Sequence, residues 1–190
     1  IGSVVAVGAE PVLMDMDGES EMTEKTKAII PVHIAGEMMT FEAEGSKTPM
    51  TESWDRALPV IEDACQSLGA YWIDKLGRKR MAGTLGTTGC FSFYPAKILG
   101  AFGDAGALTT NDEKVYEYVK DARNHFKGTN EDWGMNSRMD NLQAAILLVK
   151  LKHLPEYLAR RAEIAEMYLK GLEWEDINLP NNTLGRVWNF

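Results

Sequence analysis

One lysine in this sequence stands in unusual company. Lys97 lies in the run Phe91-Ser92-Phe93-Tyr94-Pro95-Ala96-Lys97-Ile98-Leu99-Gly100, between aromatic residues and glycine. Amines withdrawn from water are held more readily in the neutral form, in which they attack aldehydes to give Schiff bases. Asp63 is the second residue of interest, because the apolar run Leu58-Pro59-Val60-Ile61 ends in Glu62-Asp63. A carboxylate set against a pyridine nitrogen keeps that ring protonated and electron-withdrawing. Ser92, five residues before Lys97, offers a hydroxyl to a phosphate. Each residue also has a plainer use: Lys97 can snorkel its ammonium to water, and Asp63 can cap a turn. Taken as one device, the three supply what pyridoxal phosphate requires of a protein.

The framework around these residues can be read from patterning. Short apolar runs alternate with amphipathic stretches, which predicts an α/β fold with a mostly parallel sheet covered by helices. Residues 11–15, 28–33 and 58–63 read as strands, and so does the opening Val4-Val5-Ala6-Val7. Buried parallel strands meet ligands at their carboxyl ends, which is where Asp63 falls. Shorter strands are expected at 70–73 and 90–94, while 37–57 lacks a helical period and is left unassigned. From residue 110 the period becomes helical. Thr110 with Glu113, and Asp140 with Gln143, have capping-box spacing. The helix from Asp140 carries Leu142, Ala145, Ile146 and Val149, which predicts burial. A third helix starts near Pro155 and places Tyr157, Leu158, Arg161, Ile164, Ala165, Tyr168 and Leu169 at spacings of three and four. Tyr94 and Phe102 read as core side chains, and Glu62 falls on the opposite side of its strand from Asp63.

Composition removes several function classes. The 20 basic and 28 acidic side chains give a net charge of −8 over 190 residues. An acidic chain without a basic stripe is a poor ligand for nucleic-acid backbones. The longest apolar run, 144–149, is far short of the roughly 20 residues that cross a bilayer. Cys65 and Cys90 lack CxxC spacing, and His33, His125 and His153 lack metal-ligand spacing. No metal is expected, and a reducing cytoplasm is the natural compartment. The chain begins with Ile1 in mid-pattern and reads as part of a longer protein.

Three ordered motifs carry a family resemblance: VIEDACQSLGA at 60–70, FSFYPAKILGAFGDAGALTTND at 91–112 and GMNSRMDNLQAAIL at 134–147. With PVHIAG at 31–36 and VGAEPV at 7–12, the sequence resembles the DegT/DnrJ/EryC1/StrS family of sugar aminotransferases. The resemblance implies a fold-type I enzyme dependent on pyridoxal 5'-phosphate, moving an amino group, usually from glutamate, to a ketone on a nucleotide-linked sugar. By motif, Lys97 is then the lysine that holds the cofactor's aldehyde and carries the proton. Asp63 is the partner of the pyridine nitrogen, Gln66 packs beside the ring near its phenolic oxygen, and Ser92 binds the phosphate. Asn136 resembles the asparagine that reaches the phosphate of the neighbouring subunit, which implies a homodimer. Relatives that dehydrate sugars carry histidine at the Lys97 position, so lysine favours transamination. The family also implies a division into residues 1–154, an incomplete large domain, and 155–190, a linking helix and the start of a small one. A protein that keeps the fold without turnover, regulatory or inactive, is the alternative.

Overall fold

Buried apolar runs build the sheet that carries Asp63 and Ser92. The computed structural model describes residues 1–14, 22–39, 58–129, 133–172 and 178–189. Its strands are β1 (Ile61–Asp63), β2 (Tyr71–Ile73), β3 (Lys79–Met81), β4 (Thr88–Ser92) and β5 (Gly106–Thr110). β1 and β4 pair in parallel, with Asp63 opposite Cys90, and β5 closes the sheet antiparallel to β4, with Gly106 opposite Ser92. The run at 28–33 lies alongside β1 through parallel bridges from Ile29 to Val60 and from Val32 to Asp63. Along that run Pro31 and His33 are buried while Ile30 and Val32 are exposed, the period-two alternation of an extended segment. β2 and β3 form a separate hairpin. Asp74 organises its turn by accepting from the Leu76 and Arg78 amides and from both Arg78 and Arg80 Nε; despite the burial that opposes it, these bonds hold its carboxyl at a pKa of about 2.

The core gathers Met38, Val60, Ala64, Ala70, Ala82, Ile98 and Val187, and a smaller cluster joins Leu99, Ala101 and Leu147. Both clusters include residues immediately after Lys97 in the chain. Apolar burial of this kind is the main favourable term in folding.

The helices are α1 (Gly2–Ala6), α2 (Glu113–Ala122), α3 (Asn141–Leu151) and α4 (Leu154–Gly171). Four sequence expectations are corrected here. Val4-Val5-Ala6 is helical rather than extended, because the Val4 and Val5 amides find the Ile1 carbonyl within the segment itself. The cap of α2 is Asp112, whose carboxylate accepts from the Lys114 and Val115 amides, while Thr110 Oγ1 donates to the Thr87 carbonyl and so joins the sheet. Asp140 makes no side-chain cap, and the Gln143 side chain, rather than reaching back to it, accepts from the Phe102 amide. Finally, α3 buries Leu147 alone, with Leu142 73%, Leu148 63% and Val149 61% exposed. A helix apolar on all sides needs cover on all sides, and one chain supplies it on one.

Tyr94 and Phe102 also stand out in solvent rather than in the core, because the loop between β4 and β5 turns both outward. Residues 106–110, not anticipated as a strand, form β5. The unassigned stretch 37–57 lies outside the described residues apart from 37–39; of the strand expected at 11–15, residue 15 also lies outside them and residues 11–14 form no strand. Among the described residues no helix is long and apolar enough to cross a membrane.

The Asp112 cap gives a direct stability test. Asp112→Ala removes the acceptor for two first-turn amides and should cost about 1 kcal/mol, read as a lower urea midpoint. An unchanged midpoint would show that water replaces the carboxylate without loss.

Candidate active site

Asp63 ends β1, and its backbone is tied on three sides. Its amide donates to the Pro31 carbonyl at 2.9 Å, its carbonyl accepts from the His33 amide at 3.1 Å, and it pairs with Cys90 of β4. Its Oδ1 accepts from the Cys65 amide at 3.1 Å, which fixes the carboxylate over the turn after the strand. Gln66 lies in the same turn, and its Oε1 accepts from the Ala35 amide at 2.7 Å. A backbone amide only donates, so the oxygen of Gln66 must face Ala35 and its NH2 must face the other way.

Ser92 ends β4, two residues beyond the partner of Asp63. Its Oγ accepts from the Tyr94 amide at 3.3 Å, leaving its own O–H to donate elsewhere. Lys97 is half-buried in the next loop, with its amide bonded to the Tyr94 carbonyl at 2.9 Å. Tyr94 thus links Ser92 and Lys97 through its own backbone groups. The loop closes tightly: the Ala101 amide reaches the Phe93 carbonyl at 2.8 Å, and a Cβ at Gly100 would collide with the Pro95 carbonyl. Helix α3 grips the far side of the loop, since Gln143 Oε1 accepts from the Phe102 amide at 2.8 Å and Lys150 Nζ donates to the Gly100 carbonyl.

Cys65 reports how these groups are gathered. Burial first, then the Asp63 carboxylate and Cys90, push its thiol up to about 12, while the charge of Lys97 draws it the other way. The thiol is therefore within electrostatic range of both Asp63 and Lys97. It stays protonated at neutral pH and does not compete as a nucleophile.

Beneath Asp63, on the other side of β1, sits a wholly buried hydrogen-bonded pair of a neutral histidine and a carboxylate. His33 Nε2 and Glu62 Oε2 are 3.0 Å apart with neither side chain exposed. His33 Nδ1 accepts from the Met39 amide at 3.1 Å, so the ring proton lies on Nε2 and is donated to Glu62. Glu62 also accepts from the amides of Gly83 at 2.8 Å and of Leu85 and Gly86, both at 2.6 Å. Burial opposes its charge, yet these four donors together hold the carboxyl below its ordinary value.

Asp63 and Ser92 therefore end neighbouring strands, Gln66 follows Asp63 in its turn, and Lys97 lies in the loop after Ser92, its charge felt at Cys65 alongside that of Asp63. Asn136 does not join them. It is exposed in the loop before α3, paired through its backbone with Asn124. Three supporting residues were not singled out from the sequence for this purpose: Ala35, Gln143 and Lys150. Only Gln143 carried a signal, its spacing from Asp140, and that pointed to a cap.

The sequence pattern of the DegT/DnrJ/EryC1/StrS aminotransferase family matches residues 1–183. The chain is 40% identical over 185 residues to the "Pleiotropic regulatory protein" of Geobacillus stearothermophilus, covering 90% of this chain and 47% of that one. It is 36% identical to the UDP-2-acetamido-2-deoxy-3-oxo-D-glucuronate aminotransferase of Pseudomonas aeruginosa, covering 94% and 50% respectively. Among solved structures, NtdA from Bacillus subtilis with bound cofactor PMP superposes with a TM-score of 0.77 at 30% identity, over 98% of this chain and 44% of that one. The chain spans about half the length of the curated relatives it matches.

Proposed function

This chain belongs to the DegT/DnrJ/EryC1/StrS aminotransferase family, and on that footing we propose that the protein transfers an amino group, from glutamate, to a keto sugar linked to a nucleotide. Its fold is α/β, of the fold-type I class of its structural neighbours, and the family's cofactor is pyridoxal 5'-phosphate. The observation that carries the reading is the placement of Asp63 at the end of β1 and of Lys97 in the loop just after β4, both within electrostatic reach of Cys65, with Gln66 in the turn after Asp63 and Ser92 at the end of β4.

The residues present suit that cofactor by their chemistry. Bound there, it supplies an aldehyde for amines and an electron-accepting ring. Asp63, its carboxylate fixed by the Cys65 amide, holds a proton on the pyridine nitrogen. Gln66, its oxygen already engaged, offers NH2 to the phenolic oxygen. Ser92 donates its O–H to the phosphate. Lys97 would hold the group through its amine, and its Nζ would carry the proton to and from the substrate. Asn136 serves the phosphate site of a second subunit in a homodimer, a reading supported by its exposure and by the uncovered apolar face of α3 just after it. We assign residues 1–154 to the large domain and 155–190 to a linking helix and the start of a small domain. The setting we infer is cytoplasmic, in the biosynthesis of a surface polysaccharide or a glycosylated metabolite.

The test is spectroscopic. With pyridoxal phosphate the protein should show a visible absorption band that L-glutamate bleaches and a UDP- or dTDP-linked keto sugar restores. Borohydride should fix the cofactor's mass on the peptide that contains Lys97. A band that glutamate bleaches but no keto sugar restores would move the function to another acceptor. A band that glutamate leaves untouched would favour the second reading, a regulatory protein that keeps the fold without turnover, which the name of the Geobacillus relative favours.

A further inference from the structure

The segment late in the chain does more than pass over the domain. The Tyr71 amide donates to the Gly185 carbonyl and the Val187 amide to the Gly36 carbonyl, each at 3.0 Å. Arg186, its side chain only 8% exposed, donates through Nη1 to Glu37 Oε2 and to the Asn181 carbonyl, each at 3.0 Å, with its guanidinium 4.6 Å from the Trp188 ring centre. Arg161 of α4 anchors the next two residues by donating to the Trp188 and Asn189 carbonyls at 3.1 Å. The piece so gripped is the 3₁₀ turn Ile34–Gly36 and its neighbour Glu37.

That turn is strained at one residue. Ala35 has φ 52° and ψ 26°, the left-handed region that non-glycine residues occupy at a cost. Gly36 comes next at φ 79°, and a Cβ there would collide with the Val187 carbonyl. A conformation of this kind persists only where its surroundings over-determine it. Here the surroundings lie on two sides: the 185–187 segment on one, and the Gln66 side-chain oxygen, 2.7 Å from the Ala35 amide, on the other.

We propose that Arg186, paired with Glu37, is a positioning residue for the cofactor site: it clasps turn 34–37 so that Ala35 fixes the polarity of Gln66 and turns its NH2 toward an anionic oxygen of the ligand. The inference rests on the reading of Gln66 given above. It adds that the donor character of Gln66 is imposed from a distance, by residues that touch no ligand. The site then selects a ligand with an ionised oxygen at that point over one presenting a hydroxyl proton.

The experiment has two arms, both on the full chain. In the ligand-free protein, hydrogen exchange at the Ala35 amide should quicken at least about tenfold in Arg186→Met and in Gln66→Ala, with the amides of β4 unchanged. In the second arm, pyridoxal phosphate should bind about tenfold more weakly to Arg186→Met and to the milder Glu37→Gln, and Arg186→Lys should recover part of the loss. Gln66→Glu, which keeps an oxygen for Ala35 but replaces the NH2, should weaken binding by at least as much without altering exchange at Ala35. Ala35 exchange that stays at the wild-type rate in Arg186→Met and Glu37→Gln, or that rises only in step with every amide, would overturn the clasp. Tight binding retained by Gln66→Glu would overturn the donor polarity. If wild type binds no pyridoxal phosphate, the aminotransferase reading fails, and the exchange arm still decides whether the clasp exists.

Discussion

Replacing Lys97 with alanine will lower the glutamate half-reaction by roughly 10³-fold or more while leaving the chain folded, since a positioned proton carrier is worth about 10²–10⁴ and the amine also holds the cofactor. Two observations separate chemistry from folding at this position. The loop is held through backbone groups, with the Lys97 amide on the Tyr94 carbonyl and the Ala101 amide on the Phe93 carbonyl, and neither bond involves the side chain. The grip from α3 falls on Gly100 and Phe102, not on Lys97. A side-chain truncation outside the core changes stability by about 0.5 kcal/mol or less. Single-turnover bleaching of the visible band by glutamate and a urea titration, run together, check both halves. A variant that keeps a tenth of the wild-type rate would show that another group moves the proton.

The largest stability effect is expected at Glu62. Glu62→Gln places an NH2 among four donors, so that one side of the amide meets N–H groups it cannot accept from. Breaking a buried, hydrogen-bonded charge in this way costs about 3–5 kcal/mol, enough to bring a domain of ordinary stability close to unfolding. The His33 ring proton and the amides of Gly83, Leu85 and Gly86 all depend on this carboxylate as their acceptor. The same carboxylate gives acid sensitivity a definite sign. Its folded value is depressed below the ordinary 4.5, because the donors outweigh burial. The stability it contributes is therefore fully present above about 4.5 and is lost as pH falls through the folded value. Urea midpoints of wild type should drop steeply below pH 4.5, and those of the variant should drop less. Parallel curves would mean that Glu62 titrates alike in the folded and unfolded states.

How much of this was legible in the sequence depended on the range of the interaction. Asp63 was placed at a strand end because a continuous apolar run precedes it, and burial on both faces produces such runs, whereas Ser92, expected in the middle of a strand at 90–94, ends β4 instead. β5 escaped notice because Gly106-Ala107-Leu108-Thr109-Thr110 is largely exposed and carries no apolar period. Its antiparallel pairing comes from β4 and from threonine hydroxyls reaching the Gly83 and Thr87 carbonyls. Capping spacing misled twice for one reason: Thr110 and Gln143 each found a partner more than twenty residues away. The burial expected of α3 followed from its composition and was overturned, since among the described residues only Leu147 of that helix is covered. The left-handed Ala35 left no trace in the sequence, since alanine carries no preference for that conformation.

The clasp sets an order on assembly. Glu37 and Arg186 are 149 positions apart, and Glu37 and Thr183 are 146 apart. Contacts of such separation form late, because the loop they close must be ordered first. On the ribosome, the turn that orients Gln66 is made early and must wait for its fastener until synthesis has passed Val187. A nascent chain stalled before that point would carry Lys97 and Asp63 already in place, yet its pocket would lack a fixed wall. Ligand capture would then wait on the emergence of Arg186, timed by the translation of the stretch between Glu37 and Val187.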